Sequence, residues 1–356
     1  MRSFFSKVTF LLLITTCLIS CTEIDNKLPL IPDSIGKDGG ILIVAHENTW
    51  ESQHISLLKK ALSKSLSGLP KQESLFKIST APPRIYFKSL NQFRTVIIPV
   101  IIHSRTNYYA SFTENLKADL LAKIEKEKVS LLRQDDKYAK DQYIVYLFAT
   151  TENELNKYLS ENQKLLSKYV SDLEIKHLAK ELATKKKNIS AMKVIKEKFG
   201  LSLSIPAAYK IARDTTDFIW LRNSTQKEDF NIFMSKKKYS SPDQFQAKNI
   251  LKWRKELGEK YISGKDKRQS FMETENYISP AFQEESIASA YAKKCRGMWK
   301  LHNLSMGGTF LSYVFANTAS NELFYLEAFL HNPTKSKTNT LRELETILKS
   351  ATFTEN

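Results

Sequence analysis

Cysteine is nearly absent: the 356 residues hold three, Cys17, Cys21 and Cys295. A disulfide scaffold and a four-thiol zinc site are thereby excluded. Glycine and proline are sparse at ten each, which argues against long flexible linkers. The apolar run Val8–Ile19 falls short of the roughly 20 residues that a spanning helix needs. Histidine is scarce too, six in all, and its spacing is wrong for a metalloprotease. After His46-Glu47 the required second histidine is replaced by Trp50, and the next is His54. No P-loop, dinucleotide fingerprint, nucleophile elbow, EF-hand or zinc-finger spacing occurs. Neither a metal nor a cofactor is expected.

Positive charge is abundant. The formal net charge is +16, most of it from lysine. The basic clusters Lys185–Lys187, Lys236–Lys238 and Lys265/Lys267/Arg268 lie in separate segments. They read as solvated faces and loops, so no nucleic-acid partner is expected. Composition is otherwise that of a folded globular chain, with 42% hydrophobic and 26% charged residues.

The first 20 residues have the pattern of a signal peptide: Arg2 and Lys7, then the run Val8–Ile19, then Leu18-Ile19-Ser20-Cys21. The last four resemble a lipobox, in which the small Ser20 admits the peptidase and the Cys21 thiol is acylated. Several acyl chains, palmitate among them, would then anchor the protein stably. Cys295 is left without a thiol partner. Residues 21–40 read as a lipidated tether. The expected location is the cell envelope, lipid-anchored at the outer membrane and facing the periplasm.

The periodicity suggests an α+β fold: two α/β halves, mainly antiparallel sheets flanked by helices, joined by a long helical block. The halves are placed at 41–150 and 200–356, with the block at 151–199. Ile41–Ala45, Leu75–Ser79 and Thr95–Ile102 read as strands, the last as an edge or a bulge because of Pro99. Glu51–Leu66 is helical. Glu152–Val170 and Asp172–Phe199 read as two long helices. Strands follow at Leu201–Ile205, Asp217–Leu221, Phe230–Ser235, Gln269–Thr274, Ser289–Leu301, Thr309–Ala316 and Leu323–His331. Ser241-Pro242 starts a helix reaching Tyr261. Thr338–Ser350 closes the chain with Leu341, Leu344, Ile347 and Leu348 on one face.

Candidate chemistry is thin. Cys295 with His302 suggests a thiol and its base, against the commoner reading of a buried cysteine. Glu273 and Glu275 share one face of a strand. Gly307-Gly308 between strands suggests a tight turn or bulge, or a backbone that a ligand can approach. The candidate ligand or partner site is therefore placed at Arg296, Trp299, Asn303, Met306, Gly307 and Gly308.

Several segments carry a resemblance: Phe199–Pro206, Phe218–Arg222, Arg296–Trp299, Asn303, Met306–Gly308, Glu327–Phe329 and Leu341–Leu348. Together with Trp50, Leu69-Pro70, Glu73 and Phe76, they resemble a family of Bacteroidota lipoproteins known as a domain of unknown function. Thr309 and Ala328 depart from the family pattern, where Pro and Gly are usual. The second half is also similar in layout to PsbP/Mog1-like domains. The resemblance implies a lipoprotein and no particular chemistry. A non-enzymatic binding or envelope-assembly protein is the leading expectation, its partners being membrane lipid through Cys21 and an envelope protein. An envelope hydrolase acting on lipid, glycan or peptide, or a small-ligand-binding lipoprotein, is the alternative.

Overall fold

The computed structural model describes residues 31–69, 73–114, 116–225, 228–263, 270–331 and 337–354. The signal segment 1–20, Cys21, the basic trio at 265–268 and Pro333 lie outside them. The fold is α+β, with nine antiparallel and three parallel ladders among the described strands.

All three parallel ladders belong to the first half. Its five strands are β1 (Gly40–Val44), β2 (Lys77–Ala81), β3 (Thr95–Ile101), β4 (Val129–Asp135) and β5 (Tyr143–Ala149), in the order β2-β1-β3-β5-β4. Strands β1, β3 and β5 are buried along their whole length, as near-continuous apolar runs in a parallel sheet should be. Helices α1 (Gln53–Leu62), α3 (Glu152–Glu161) and α4 (Gln163–Thr184) pack into this core through Ile55, Leu58, Leu155, Leu159, Leu166 and Val170. Helix α2 (Ala118–Glu127) adds Ile124. Strand β3 is central, not an edge, and carries no bulge at Pro99. The β1 ladder registers only Val96 and Ile97, so Pro99, with no N–H to give, lies beyond it. The expected tether is already docked in part: Asp33 bridges Lys140 and Ile35 bridges Phe93.

Two of the expected helical boundaries move. The first expected helix ends at Glu161, and α4 then runs unbroken to Thr184. Helix α5 (Ile189–Phe199) belongs instead to the second core, through Ala191, Ile195 and Phe199.

The second half is an antiparallel sheet. Strands β6 (Leu201–Ser202) and β15 (Thr352–Phe353) pair on their own. The main path is β10-β12-β13-β14-β9-β8-β7, with β11 also on β12. Their ranges are β7 Lys210–Asp214, β8 Phe218–Ser224, β9 Asp229–Lys238, β10 Met272–Glu275, β11 Ala281–Ile287, β12 Ala290–Leu301, β13 Leu304–Asn317 and β14 Glu322–His331. Both faces are covered. Leu326, Ala328 and Leu330 face α5 and α7 (Lys337–Lys349). Tyr325 and Phe329 face α6 (Ala247–Tyr261), with Trp253 and Leu257. The period of two along β14 divides these residues between two cores.

Each half encloses a buried charged pair. Arg94 Nη2 donates to Glu174 Oε2 at 3.0 Å, and Gly39 N and Thr95 Oγ1 also donate to that carboxylate. In the second half, Arg254 and Glu327 are wholly buried and meet through two bonds of 2.9 and 2.8 Å. Tyr325 OH donates to Glu327 at 2.7 Å, and the Arg254 guanidinium lies 3.8 Å from the centre of the Phe310 ring. Removing one partner leaves a buried charge uncompensated, which costs about 3–5 kcal/mol. Arg254→Met is therefore expected to lose that much in urea unfolding. The double variant Arg254→Met/Glu327→Leu should regain most of it. Equal losses in both would show that packing around the arginine, not its charge, supplies the stability.

Candidate functional site

A cavity of about 460 Å³ opens between the halves. Its walls follow from helical spacing. On α4, Lys164, Lys168, Ser171 and Asp172 recur on one face, as do Thr338, Leu341, Arg342, Glu345 and Lys349 on α7. The sheet adds Glu285 from β11 and Lys294 and Arg296 from β12. The loop after α1 adds Lys64–Ser67. That loop can close on the sheet because Gly68, at φ +84°, brings its Cα against β12; a Cβ there would lie 2.7 Å from Arg296 O.

The cavity is cationic. Seven lysines and arginines line it against four acids. Most of the charges pair. Lys168 lies 3.2 Å from Asp172 and 3.5 Å from Glu285, and Lys349 lies 3.8 Å from Glu285. Lys294 and Glu345 form a close pair, and Tyr313 OH donates to the same carboxylate at 2.6 Å. Burial pushes the Glu345 carboxyl up, but the Lys294 and Lys349 ammonium groups and these hydrogen bonds outweigh it. They hold it at about 2. Arg342 is held by Asn339 and by the Leu75 carbonyl. Arg296 is different. Its Nε donates to Ser67 O at 2.8 Å, while its two terminal nitrogens have no partner among the described residues. Lys64 and Lys164 likewise pair with no carboxylate there.

The six residues singled out in the sequence do not converge. Arg296 stands on the α7 face of β12 and lines the cavity. Trp299, three residues on, stands on the α6 face, packed against Phe329 with ring centres 5.2 Å apart. Its indole N–H donates to Leu330 O at 3.1 Å. Gly308 lies beneath that bond: a Cβ there would fall 1.9 Å from Leu330 O and 2.9 Å from the Trp299 indole nitrogen. Gly307 is similarly tight against Trp299 O. The glycine pair lies within β13, beside a register shift at Lys300/Leu301, and the turn itself is at His302-Asn303. Met306 is half-buried against the α6 core. Asn303 occupies the turn at φ +59°.

The other candidates are accounted for by packing and pairing. Cys295 is fully buried, and burial pushes its thiol up to about 12, so no thiolate forms at neutral pH. His302 stacks on Phe271 instead. Lys300 lies 3.9 Å from Glu273 and 3.2 Å from Glu275 and pairs with both acids. Asp38, His177 and Glu181 bring ligand atoms within 4.8 Å of one another. Arg94 already supplies a positive charge there, 2.9 Å from Asp38 and 3.9 Å from Glu181. That arrangement disfavours a cation.

Residues 188–350 match DUF4837, a domain of unknown function. Residues 34–183 match a second such domain, DUF8532. The expected resemblance to a domain of unknown function holds, but two families divide the chain where one was expected. Their junction falls between α4 and α5, and the cavity lies between the DUF8532 and DUF4837 segments. No curated protein matches this chain in sequence. Among solved structures, a crystal structure from Bacteroides thetaiotaomicron aligns over 44% of this chain and 46% of its own, at 13% identity and TM-score 0.27. The chain thus spans under half the length of that structure. The Saccharomyces cerevisiae Ran-binding protein Mog1p aligns over 44% of this chain and 91% of its own, at 8% identity and TM-score 0.29. LpqN, described as involved in cell envelope biogenesis of Mycobacterium tuberculosis, aligns over 44% and 83%, at 12% identity and TM-score 0.28. These likenesses are weak, and the architecture rests on this chain's own strand pairings.

A carboxyl held low in the fold stabilises the protein above its ordinary range and loses that contribution as pH falls toward the folded value. For Glu345 the window runs from 4.5 down to about 2. The stability gap between wild type and Glu345→Gln, followed by urea unfolding, should be widest near neutral pH and close across that window. A gap that stays constant with pH would show that the charge of Glu345 is not what the fold uses.

Proposed function

We propose that the protein is a lipid-anchored envelope protein that binds, between its two halves, a ligand bearing a carboxylate or phosphate. One observation carries the binding reading. Arg296 lines a cavity that is cationic on balance, and its two terminal guanidinium nitrogens have no hydrogen-bond partner among the described residues. A guanidinium is suited to bidentate bonds with planar or tetrahedral oxyanions. Most other cations of the cavity are held by neighbours, which fixes its shape before a ligand arrives. Such preorganisation favours binding over induced rearrangement.

The anchor reading is supported by the leader pattern ending at Cys21. No helix among the described residues is long and apolar enough to cross a membrane. Acyl chains on Cys21 would then supply the attachment, with membrane lipid as the first partner. The outer membrane, the periplasmic side and an envelope protein partner belong to the same proposal. A protein partner carrying the anionic group on its surface would satisfy the cavity as well as a free small molecule.

Two measurements test this. Cys21→Ala is expected to move the protein from the membrane pellet to the soluble fraction and to abolish incorporation of labelled palmitate. Retention in the pellet with the label intact would refute the anchor. In calorimetric titration of the full chain with pyrophosphate, Arg296→Met is expected to weaken binding about tenfold or more, the loss of a charge-assisted bond. Its thermal midpoint should stay close to wild type. Equal affinity in variant and wild type would remove the cavity as the anion site.

A further inference from the structure

A second constellation lies in the first half, away from the anion cavity. The strand order β2-β1-β3-β5-β4 reverses direction at β1: the chain leaves β1 for β2 on one side and returns as β3 on the other. In open parallel sheets the crevice at the carboxyl ends of such strands is where ligands bind. Here a cavity of about 360 Å³ occupies that crevice, lined by Ser52 and His54 beyond β1, Ile101 at the end of β3, and Glu152 just after β5.

Ser52 Oγ lies 3.1 Å from His54 Nε2, and His54 Nδ1 lies 3.1 Å from Glu152 Oε1. A carboxylate can only accept, so Nδ1 carries the hydrogen and Nε2 turns a lone pair to the serine. The Ser52 hydroxyl also reaches Thr49 O at 2.5 Å. Rotation about its C–O bond redirects the hydrogen to His54 without moving the oxygen. Ser52 is the N-cap of α1 yet makes no capping hydrogen bond, although serine there ordinarily accepts from the first turn. The first-turn N–H groups, with no partner among the described residues, lie beside Ser52 at the positive end of the helix dipole. Ser52 is partly exposed, while His54 is buried. That burial lowers the affinity of His54 for a proton, partly offset by Glu152, and keeps the imidazole neutral at neutral pH, with its Nε2 lone pair available to accept.

We propose that Ser52 and His54 are the nucleophile and base, and Glu152 the positioning carboxylate, of a site that hydrolyses short carboxylic esters. Ser52 Oγ attacks the ester carbonyl carbon as its proton passes to His54 Nε2. The carbonyl is restored when the C–O bond to the alcohol breaks, and His54 protonates the departing alkoxide. Water then attacks the acyl-serine, giving its proton to His54. The acyl–Oγ bond breaks, Ser52 recovers that proton, and the carboxylic acid leaves. The α1 first turn faces the developing oxyanion. The cavity volume limits the acyl and alcohol groups to small ones.

The test uses the full chain in detergent micelles, with folding checked by circular dichroism. A fluorophosphonate probe is expected to form an adduct on Ser52, located by mass spectrometry. Hydrolysis of p-nitrophenyl acetate at neutral pH is expected to fall about 10²–10⁴-fold in Ser52→Ala. In Glu152→Gln, kcat/KM should drop and the acid limb of its pH profile should move to lower pH, because the group that raises His54 is gone. A purely structural role for Glu152 would leave that limb in place. Folded wild type with no adduct on Ser52, or hydrolysis unchanged in Ser52→Ala, would overturn the proposal.

Discussion

The bond between Arg254 and Glu327 ties α6 to the middle of β14, and the register of the second half depends on it. Glu327 points to the α6 face, between Tyr325 and Phe329. A slip of one residue would turn it toward the α7 face, among Leu326, Ala328 and Leu330, and away from Arg254. A sheet with two apolar faces has little else to choose between them. The carboxylate therefore specifies which face is which, a use of buried charge that a hydrocarbon pair could not supply.

The same alternation explains why the sequence misled about the site. Arg296 and Trp299 sit three apart in the chain and read as neighbours, but on a strand an odd separation means opposite faces. The Gly307-Gly308 pair was legible as a place of close approach. What approaches is Trp299 and the Leu330 carbonyl, not a ligand. Amphipathic elements such as α7 and the alternating strands β13 and β14 were readable from period alone. Strand β5, whose YIVYLFA is buried on both faces and shows no alternation, was not, nor were β4, β7, β11 and α2. The α+β class was legible, whereas the parallel character of the first sheet was hidden for the same reason. Ser52 and His54 meet Glu152 only through the sheet, across 98 positions of chain, and no local motif announces them.

The cavity between the halves draws its walls from both matched segments. Lys168 of the first half reaches Glu285 of the second, and the Ser67 carbonyl of the first receives Arg296 of the second. Charge therefore fastens the halves at the rim of the cavity while leaving part of Arg296 uncommitted. The proposed binding site is therefore a property of the pairing, and neither half would form it alone.

The bridges from Asp33 to Lys140 and from Ile35 to Phe93 have a geometric consequence. They fix the start of the folded body at about residue 33. With the proposed anchor at Cys21, roughly a dozen positions separate it from that point, and a chain of that length spans at most about 40 Å. Under that proposal the first residues of the folded body lie within that distance of the lipid surface. If the anchor holds, that short span keeps the near side of the body beside the membrane of attachment, which favours encounters there over any that require bridging a wide compartment.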